Sequence, residues 1–279
     1  MQDERIRFDD TNGASAGAVN AVALAHGFAL PTQKCNEAIN PREAARACLA
    51  KIWHGVEAMG RMDAMAAIDF EAIAHLQSPK VFVSATHVTT GQADIFSGKR
   101  LGLQAVMTST CLPTVFKAVE IDGKSYWDGG FLSNPVLLPL INQCSSCDIM
   151  VVQINPLRRP SAPHTPQDIM DRANELTFNA SLLSQMRSID FINRMLSDGR
   201  LTKGLKYKHM RLHRIDGGEA LESLPASSKM SEDSAMIEKL IDIGQSAAKR
   251  WLQRHFDALG QEGMVDIRHD YIGRVPPDF

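Results

Sequence analysis

Thr11-Asn12-Gly13-Ala14-Ser15-Ala16-Gly17-Ala18-Val19-Asn20-Ala21 decides how the rest of this sequence is read. Gly13, Ala14, Ser15, Ala16 and Gly17 form a Gly-x-Ser-x-Gly pentapeptide, the spacing of a nucleophile elbow in which a strand ends, the chain turns and a helix begins. The turn strains the serine backbone, and glycines two residues to either side keep strand, helix and hydroxyl from colliding. The residues that follow, Ala16 to Gly27, are small and apolar, which predicts a helix packed closely on a sheet and stopped at Gly27. Ser15 then lies at a helix N-terminus, where backbone N–H groups favour developing negative charge. The same pentapeptide also occurs in Ser/Gly turns that merely start a helix.

Working outward, the chain has 279 residues, enough for a full core. It is 44% hydrophobic and 22% charged, the composition of an ordinary globular protein. A formal net charge of −2, with no basic run carrying interleaved aromatics, gives no nucleic-acid signature. No apolar stretch has the length of a membrane span, and the charged start lacks a signal-peptide core. Five cysteines do not suggest a disulfide framework. A cytoplasmic protein, peripheral to a membrane if associated with one at all, is the expectation.

The chain in order predicts a short strand at Ile6-Arg7-Phe8, an irregular connection over 28–41 and a helix from Arg42 to about Met59. A methionine-rich stretch, 59–74, reads as core or a lid. Lys80–Thr86 is a strand with a hairpin partner at Asp94–Ser97, followed by a helix over 101–107 ending in Ser109-Thr110-Cys111-Leu112-Pro113. Asp122-Gly123 centres a second hairpin. Further on, 147–156 reads as an inner strand and 166–196 as a long helix. Tyr207–Ile215 alternates as a strand with a solvated basic face, and 231–256 is a capped amphipathic helix. Cys144 and Cys147 have redox-like spacing but no second Cys or His pair, so neither a metal nor a cofactor is predicted. With no repeat or linker, the expected partition is one domain over 1–279, a motif-bearing core of about 6–155 with an extension over about 156–279.

Directly after the second hairpin stands Asp128-Gly129-Gly130. The tripeptide reads as a turn, or as a partner for Ser15. An aspartate is a weak base in water, and burial beside a serine hydroxyl favours its taking that proton. These motifs, with Ser109–Pro113 and the stretch Val119 to Pro135, resemble the bacterial branch of the patatin-like phospholipases over roughly residues 6–155. The resemblance implies a three-layer α/β/α fold with a mostly parallel central sheet. It implies a Ser–Asp dyad without histidine, in which Ser15 attacks an ester carbonyl to give an acyl-enzyme and Asp128 accepts the proton. The implied partner is a lipid or other acyl ester, taken from solution or from a membrane surface.

The family also carries a Gly-Gly-Gly-x-x-Gly loop before the nucleophile, whose N–H groups form the oxyanion hole. This sequence has no Gly-Gly-Gly segment. The expectation is therefore twofold: a start upstream of Met1, or a diverged, inert relative that binds lipid or another partner without turnover. An exposed sheet edge near the N-terminus predicts pairing with another chain. A Ser–Asp–His triad using His164, His209, His213, His255 or His269 satisfies chain order, but that fold needs several strands ahead of its elbow.

Overall fold

Lys80–His87 forms strand β2, in which six consecutive residues, Val81 to Thr86, are buried. A strand with no solvated face must be covered on both sides, and the first half of the chain is arranged around this requirement. In the computed structural model, which describes residues 5–33, 40–59, 63, 65–113, 115–204, 207–224, 228 and 233–273, the chain groups into two compact units, 1–140 and 141–279. The fold is α/β, consistent with the three-layer arrangement expected.

In the first unit the order is β1 (Asp10–Gly13), α1 (Ala16–Gln33), α2 (Pro41–Met59), α3 (Phe70–Ala74), β2, β3 (Gln92–Phe96), α4 (Leu103–Ser109), β4 (Val119–Ile121) and β5 (Lys124–Asp128). β1 pairs parallel with β2, whereas β3 and β5 pair antiparallel with β2 and β4 antiparallel with β5. The two hairpins thus make this sheet mixed. The β4–β5 hairpin follows from local chemistry: Asp122 and Gly123 both take positive φ (49° and 72°), as a two-residue hairpin turn requires. α1 lies on β1 and β2, α4 on β2, β4 and β5, and α2 packs outside α1. Val19, Val22, Val83, Val106 and Tyr126 sit in the resulting core.

Two expectations are corrected here. The first strand is Asp10–Gly13, not Ile6–Phe8. It is selected by parallel pairing with Lys80–Val83 rather than by its own hydrophobicity, and the Asp10 carboxylate accepts the Lys80 N–H at 3.2 Å. Gly27 does not stop α1, which runs on to Gln33. A Cβ at Gly27 would lie 2.2 Å from Cα of Ala45 on α2, so its role is to let two helices cross closely. The irregular connection expected over 28–41 is therefore helical over 28–33; residues 34–39, part of the methionine-rich stretch, Ser231 and the last six residues lie outside the described residues. Met65 is buried.

Beyond α5 (Leu138–Gln143), the second unit is built on a βαβ arrangement, β6 (Asp148–Gln153), α6 (Pro166–Ser197) and β7 (Arg211–Asp216), with β6 and β7 paired in parallel. A short helix, α7 (Glu219–Glu222), and the long α8 (Ser234–His255) follow. The Thr165 hydroxyl caps α6 by accepting the Asp168 N–H at 3.1 Å, and Asp233 caps α8. The inward face of α6 carries Leu182, Met186 and Ile189, while Ile169, Leu176 and Phe191 are about half exposed.

β7 does not present the solvated basic face its alternation suggests. His213 is fully buried against Trp251, edge to face at 5.7 Å, and Arg211 is tied to Asp148. Asp148 accepts two bonds from Arg211 (2.9 and 2.7 Å), one from His213 Nε2 (3.0 Å) and one from the Gly260 N–H (3.2 Å). Burial opposes its ionisation, yet the bonds from Arg211, His213 and Gly260 outweigh it and hold the carboxyl well below the usual range. Glu175 is held low in the same way: burial raises it, while Arg159 and Arg172 bind both carboxylate oxygens and prevail.

Candidate active site

The pairing along β2 determines where the Gly-x-Ser-x-Gly and Asp-Gly-Gly segments meet. Val83 is opposite both Gly13 of β1 and Phe96 of β3, and Ala85 is opposite both Asp94 of β3 and Asp128 of β5. A strand has only two edges, so β3 occupies one and the other is shared. β1 runs along Lys80–Val83, and β5 runs the opposite way along Ala85–His87. Their C-terminal ends therefore approach head to head at Ser84. Two strand residues separate the levels of Gly13 and Asp128, about 7 Å of rise, and Ser15 follows within the turn.

That turn has the geometry of an elbow. Ser15 stands between β1 and α1 with φ of +54°, a left-handed conformation that costs a residue bearing a Cβ about 1–2 kcal/mol. Its N–H donates to the carbonyl and the hydroxyl oxygen of Ser109, both at 3.1 Å, and this holds the strained backbone in place. Gly13 has no room for a side chain: a Cβ would lie 2.1 Å from the Gly17 carbonyl oxygen. Ala14 is buried. Ala16 opens α1, so its N–H has no acceptor within the helix. Gly17 departs from expectation, since a Cβ there would meet nothing within 4 Å. Of the two glycines flanking the serine, only Gly13 is required by space.

Asp128, the last residue of β5, is fully buried. Its N–H donates to the Cys111 carbonyl at 2.7 Å, and its own carbonyl accepts the Thr86 hydroxyl at 2.8 Å. Its Oδ1 accepts the Gly130 N–H at 2.7 Å, which closes the short 3-10 turn over Gly129–Phe131. Gly129 passes against β2 so closely that a Cβ would lie 2.0 Å from the Ser84 carbonyl oxygen. Gly129 and Gly130 are both buried.

One segment anchors both motifs. Ser109 receives the Ser15 N–H and Cys111, two residues on, receives the Asp128 N–H. The end of α4 thereby holds the elbow and the aspartate in one frame. The Ser-Thr-Cys-Leu-Pro run was visible in the sequence, but its task of accepting two backbone N–H groups was not. Asn12, whose Oδ1 accepts the Val136 N–H at 3.3 Å, ties the end of β1 to the chain after the Asp-Gly-Gly turn. Burial, with the Asp128 charge adding to it against a backbone hydrogen bond that lowers it, pushes the Cys111 thiol up, so it stays an uncharged neighbour.

Three of the described histidines are engaged elsewhere. His213 is bonded to Asp148, His269 to Asp270, and His87 to Thr90. Among the described residues no three His, Cys, Asp or Glu side chains are grouped to hold a metal, and Cys48, Cys111 and Cys147 are free thiols. No described helix is long and apolar enough to cross a membrane.

With a strand–turn–helix at Ser15 and a buried Asp-Gly-Gly facing it along β2, comparison with protein families becomes informative. The patatin-like phospholipase family model matches residues 1–141, half of the chain. The chain belongs to the patatin-like phospholipase family. No curated protein matches it. The match ends at the close of the first unit, so both motifs of this patatin-like chain, and the Ser109–Cys111 segment that anchors them, fall within the matched span. Membership carries the general function of the family, lipid acyl hydrolysis, with lipids as the substrate class.

Proposed function

We propose that this patatin-like protein hydrolyses acyl esters of lipids with a two-residue machinery, Ser15 as nucleophile and Asp128 as proton acceptor. The observation that supports the reading is the head-to-head approach of β1 and β5 on one edge of β2, with Ser15 in the strained turn after β1 and Asp128 buried at the end of β5.

Ser15 Oγ attacks the ester carbonyl carbon while its proton passes to the Asp128 carboxylate. The tetrahedral oxyanion collapses, the ester C–O bond breaks and the leaving alcohol takes the proton from Asp128. Water then attacks the acyl-serine, Asp128 accepts a proton again, and Ser15 is regenerated as the fatty acid departs. The oxyanion needs donors. The Ser15 N–H is committed to Ser109, so the Ala16 N–H, at the positive end of α1, is the candidate donor among the described residues of the elbow. Asp128 is kept in position by its N–H bond to Cys111 and by the Gly130 N–H on Oδ1.

The test is hydrolysis of a short-chain p-nitrophenyl ester by the full chain, beside Ser15→Ala and Asp128→Asn. The expected result is turnover in the parent and a loss of more than about 10³-fold in each variant, as for residues acting as a unit. A folded parent with no turnover, or a Ser15→Ala variant as active as the parent, would refute the reading.

A further inference from the structure

Exposed apolar surface on the first unit is confined to one region. Among its described residues the large apolar side chains left exposed are Val115, Phe116, Leu132 and Leu138, each 41–61% accessible. All four belong to the two segments that leave the Ser15 and Asp128 motifs. Val115 and Phe116 follow the Ser109–Cys111 anchor, and their N–H groups both donate to the Leu112 carbonyl, at 3.1 and 2.9 Å. The Cys111 thiol closes this turn on the Lys117 carbonyl at 3.0 Å. Cys111 accepts the Asp128 N–H, and Val119, where the chain re-enters the sheet, pairs with Tyr126. The loop is thereby held against the last residues of β5, beside the aspartate. Leu132 ends the 3-10 turn that Asp128 opens, and the Ser133 N–H fixes it on the Gly129 carbonyl at 3.0 Å. Leu138 begins α5, two residues after Val136, whose N–H is bonded to Asn12 at the end of β1.

Exposed apolar residues gathered in one place mark an interaction surface, and the place bears on the partner. These side chains leave the protein where β1 and β5 converge, around the candidate site itself. A protein seated on them would stop up the site they surround. A lipid surface would instead deliver substrate to it, since lipids are the substrate class of the family. In a bilayer the acyl ester lies beneath the headgroups, so a serine reaches it only if the rim of its site enters the surface. The residue types suit that task. Val115, Leu132 and Leu138 are aliphatic and Phe116 is aromatic, while the exposed Lys117 beside Phe116 has a stem long enough to keep its ammonium among headgroup phosphates.

We propose that Val115, Phe116, Leu132 and Leu138 form a collar that docks the first unit on a phospholipid bilayer, with the Ser15 and Asp128 segments turned toward it. The choice of a lipid partner rests on the reading of those segments as a lipid hydrolase site, and the docking is measured apart from hydrolysis.

The experiment uses the full chain and phosphatidylcholine vesicles, with Ser15→Ala carried in every binding sample so that no lipid is consumed. Co-sedimentation compares this background with Phe116→Asp and Val115→Asp. The control is Leu176→Asp, since Leu176 on α6 is as exposed but lies in the second unit. Each collar variant is expected to lower vesicle partition about tenfold or more, at high salt as at low, and the control by less than about twofold. Should the aspartate variants fail to fold, Phe116→Trp keeps an aromatic ring and is expected to add fluorescence quenched by brominated acyl chains. With Ser15 intact, a monomeric short-chain p-nitrophenyl ester should be cleaved equally by the parent and Phe116→Asp, and vesicle lipid about tenfold more slowly by the variant. Turnover of neither substrate, with partition still lost in the collar variants, would refute the hydrolase reading and support the docking surface. No partition of the parent, equal partition of the collar variants, or an equal loss in Leu176→Asp would overturn the proposal. So would a dimer that Phe116→Asp dissociates in the absence of vesicle binding, which would assign the collar to a second copy of the chain.

Discussion

Gly13 and Gly17 are equivalent in the sequence pattern and unequal in space, and substituting each by alanine separates the two. At Gly13 the new Cβ would stand 2.1 Å from the Gly17 oxygen, 2.2 Å from its carbonyl carbon and 2.5 Å from the Ala18 nitrogen. All three atoms are backbone of the first turn of α1, and none can swing aside as a side chain tip would. Real Cβ contacts essentially never fall below 3.0 Å, so strand and helix must part by about 0.9 Å. Overpacking costs about 1–3 kcal/mol where side chains can adjust. With backbone on both sides, about 3 kcal/mol is expected for Gly13→Ala. At Gly17 the Cβ meets nothing within 4 Å, and alanine is the better helix former by up to about 1 kcal/mol. Gly17→Ala is therefore expected to be neutral or slightly stabilising. The two variants should differ by about 3 kcal/mol in urea unfolding followed by circular dichroism, or about 6–12 °C in melting temperature. Ester hydrolysis should survive Gly17→Ala and be lost with Gly13→Ala as the elbow opens. Equal stabilities within about 1 kcal/mol, or a less stable Gly17→Ala, would refute the steric account of the motif.

Asp148 sets an acid limit on the second unit. Its folded carboxyl is held below its unfolded value, so its contribution is complete above the unfolded range near pH 4 and is lost as pH falls through the folded value. Asp148→Asn should cost about 3 kcal/mol at neutral pH by stranding Arg211, and should flatten the fall in urea midpoint between pH 5 and pH 2; an unchanged acid profile would contradict the role given to this carboxylate. At the crossing of α1 and α2, Gly27→Ala puts a Cβ 2.2 Å from the Ala45 Cα and should destabilise by about 2 kcal/mol despite the better helix propensity of alanine. A rise in melting temperature would show that the helices do not meet there.

Much of the candidate site was legible because its signals are local. A hairpin at Asp122-Gly123 needs only two residues that tolerate positive φ, and the capped start of α6 at Thr165 needs only one side-chain oxygen near a free N–H. The Gly-x-Ser-x-Gly elbow is likewise a matter of a few consecutive residues, and its pairing with Asp-Gly-Gly and Ser109–Pro113 pointed to the family whose model matches 1–141. What failed were inferences in which one residue type serves two physical ends. Gly27 looked like a helix stop and is a helix contact, because a missing Cβ serves both and only the position of α2 decides between them. The basic alternation of β7 looked solvated, yet His213 is buried, because Asp148 on the paired strand supplies a partner.

The sequence by itself therefore determined the turn chemistry, most helices and the motifs that point to the family, since each depends on neighbours within a turn or two along the chain. Only the tertiary structure decided that β1 and β5 share one edge of β2 and end facing each other at Ser84. It alone showed that Ser109 and Cys111 hold Ser15 and Asp128 through backbone N–H groups 94 and 17 positions away in the chain. Pairing between distant strands is selected by the burial of the whole sheet, and no local pattern records which edge a strand will take.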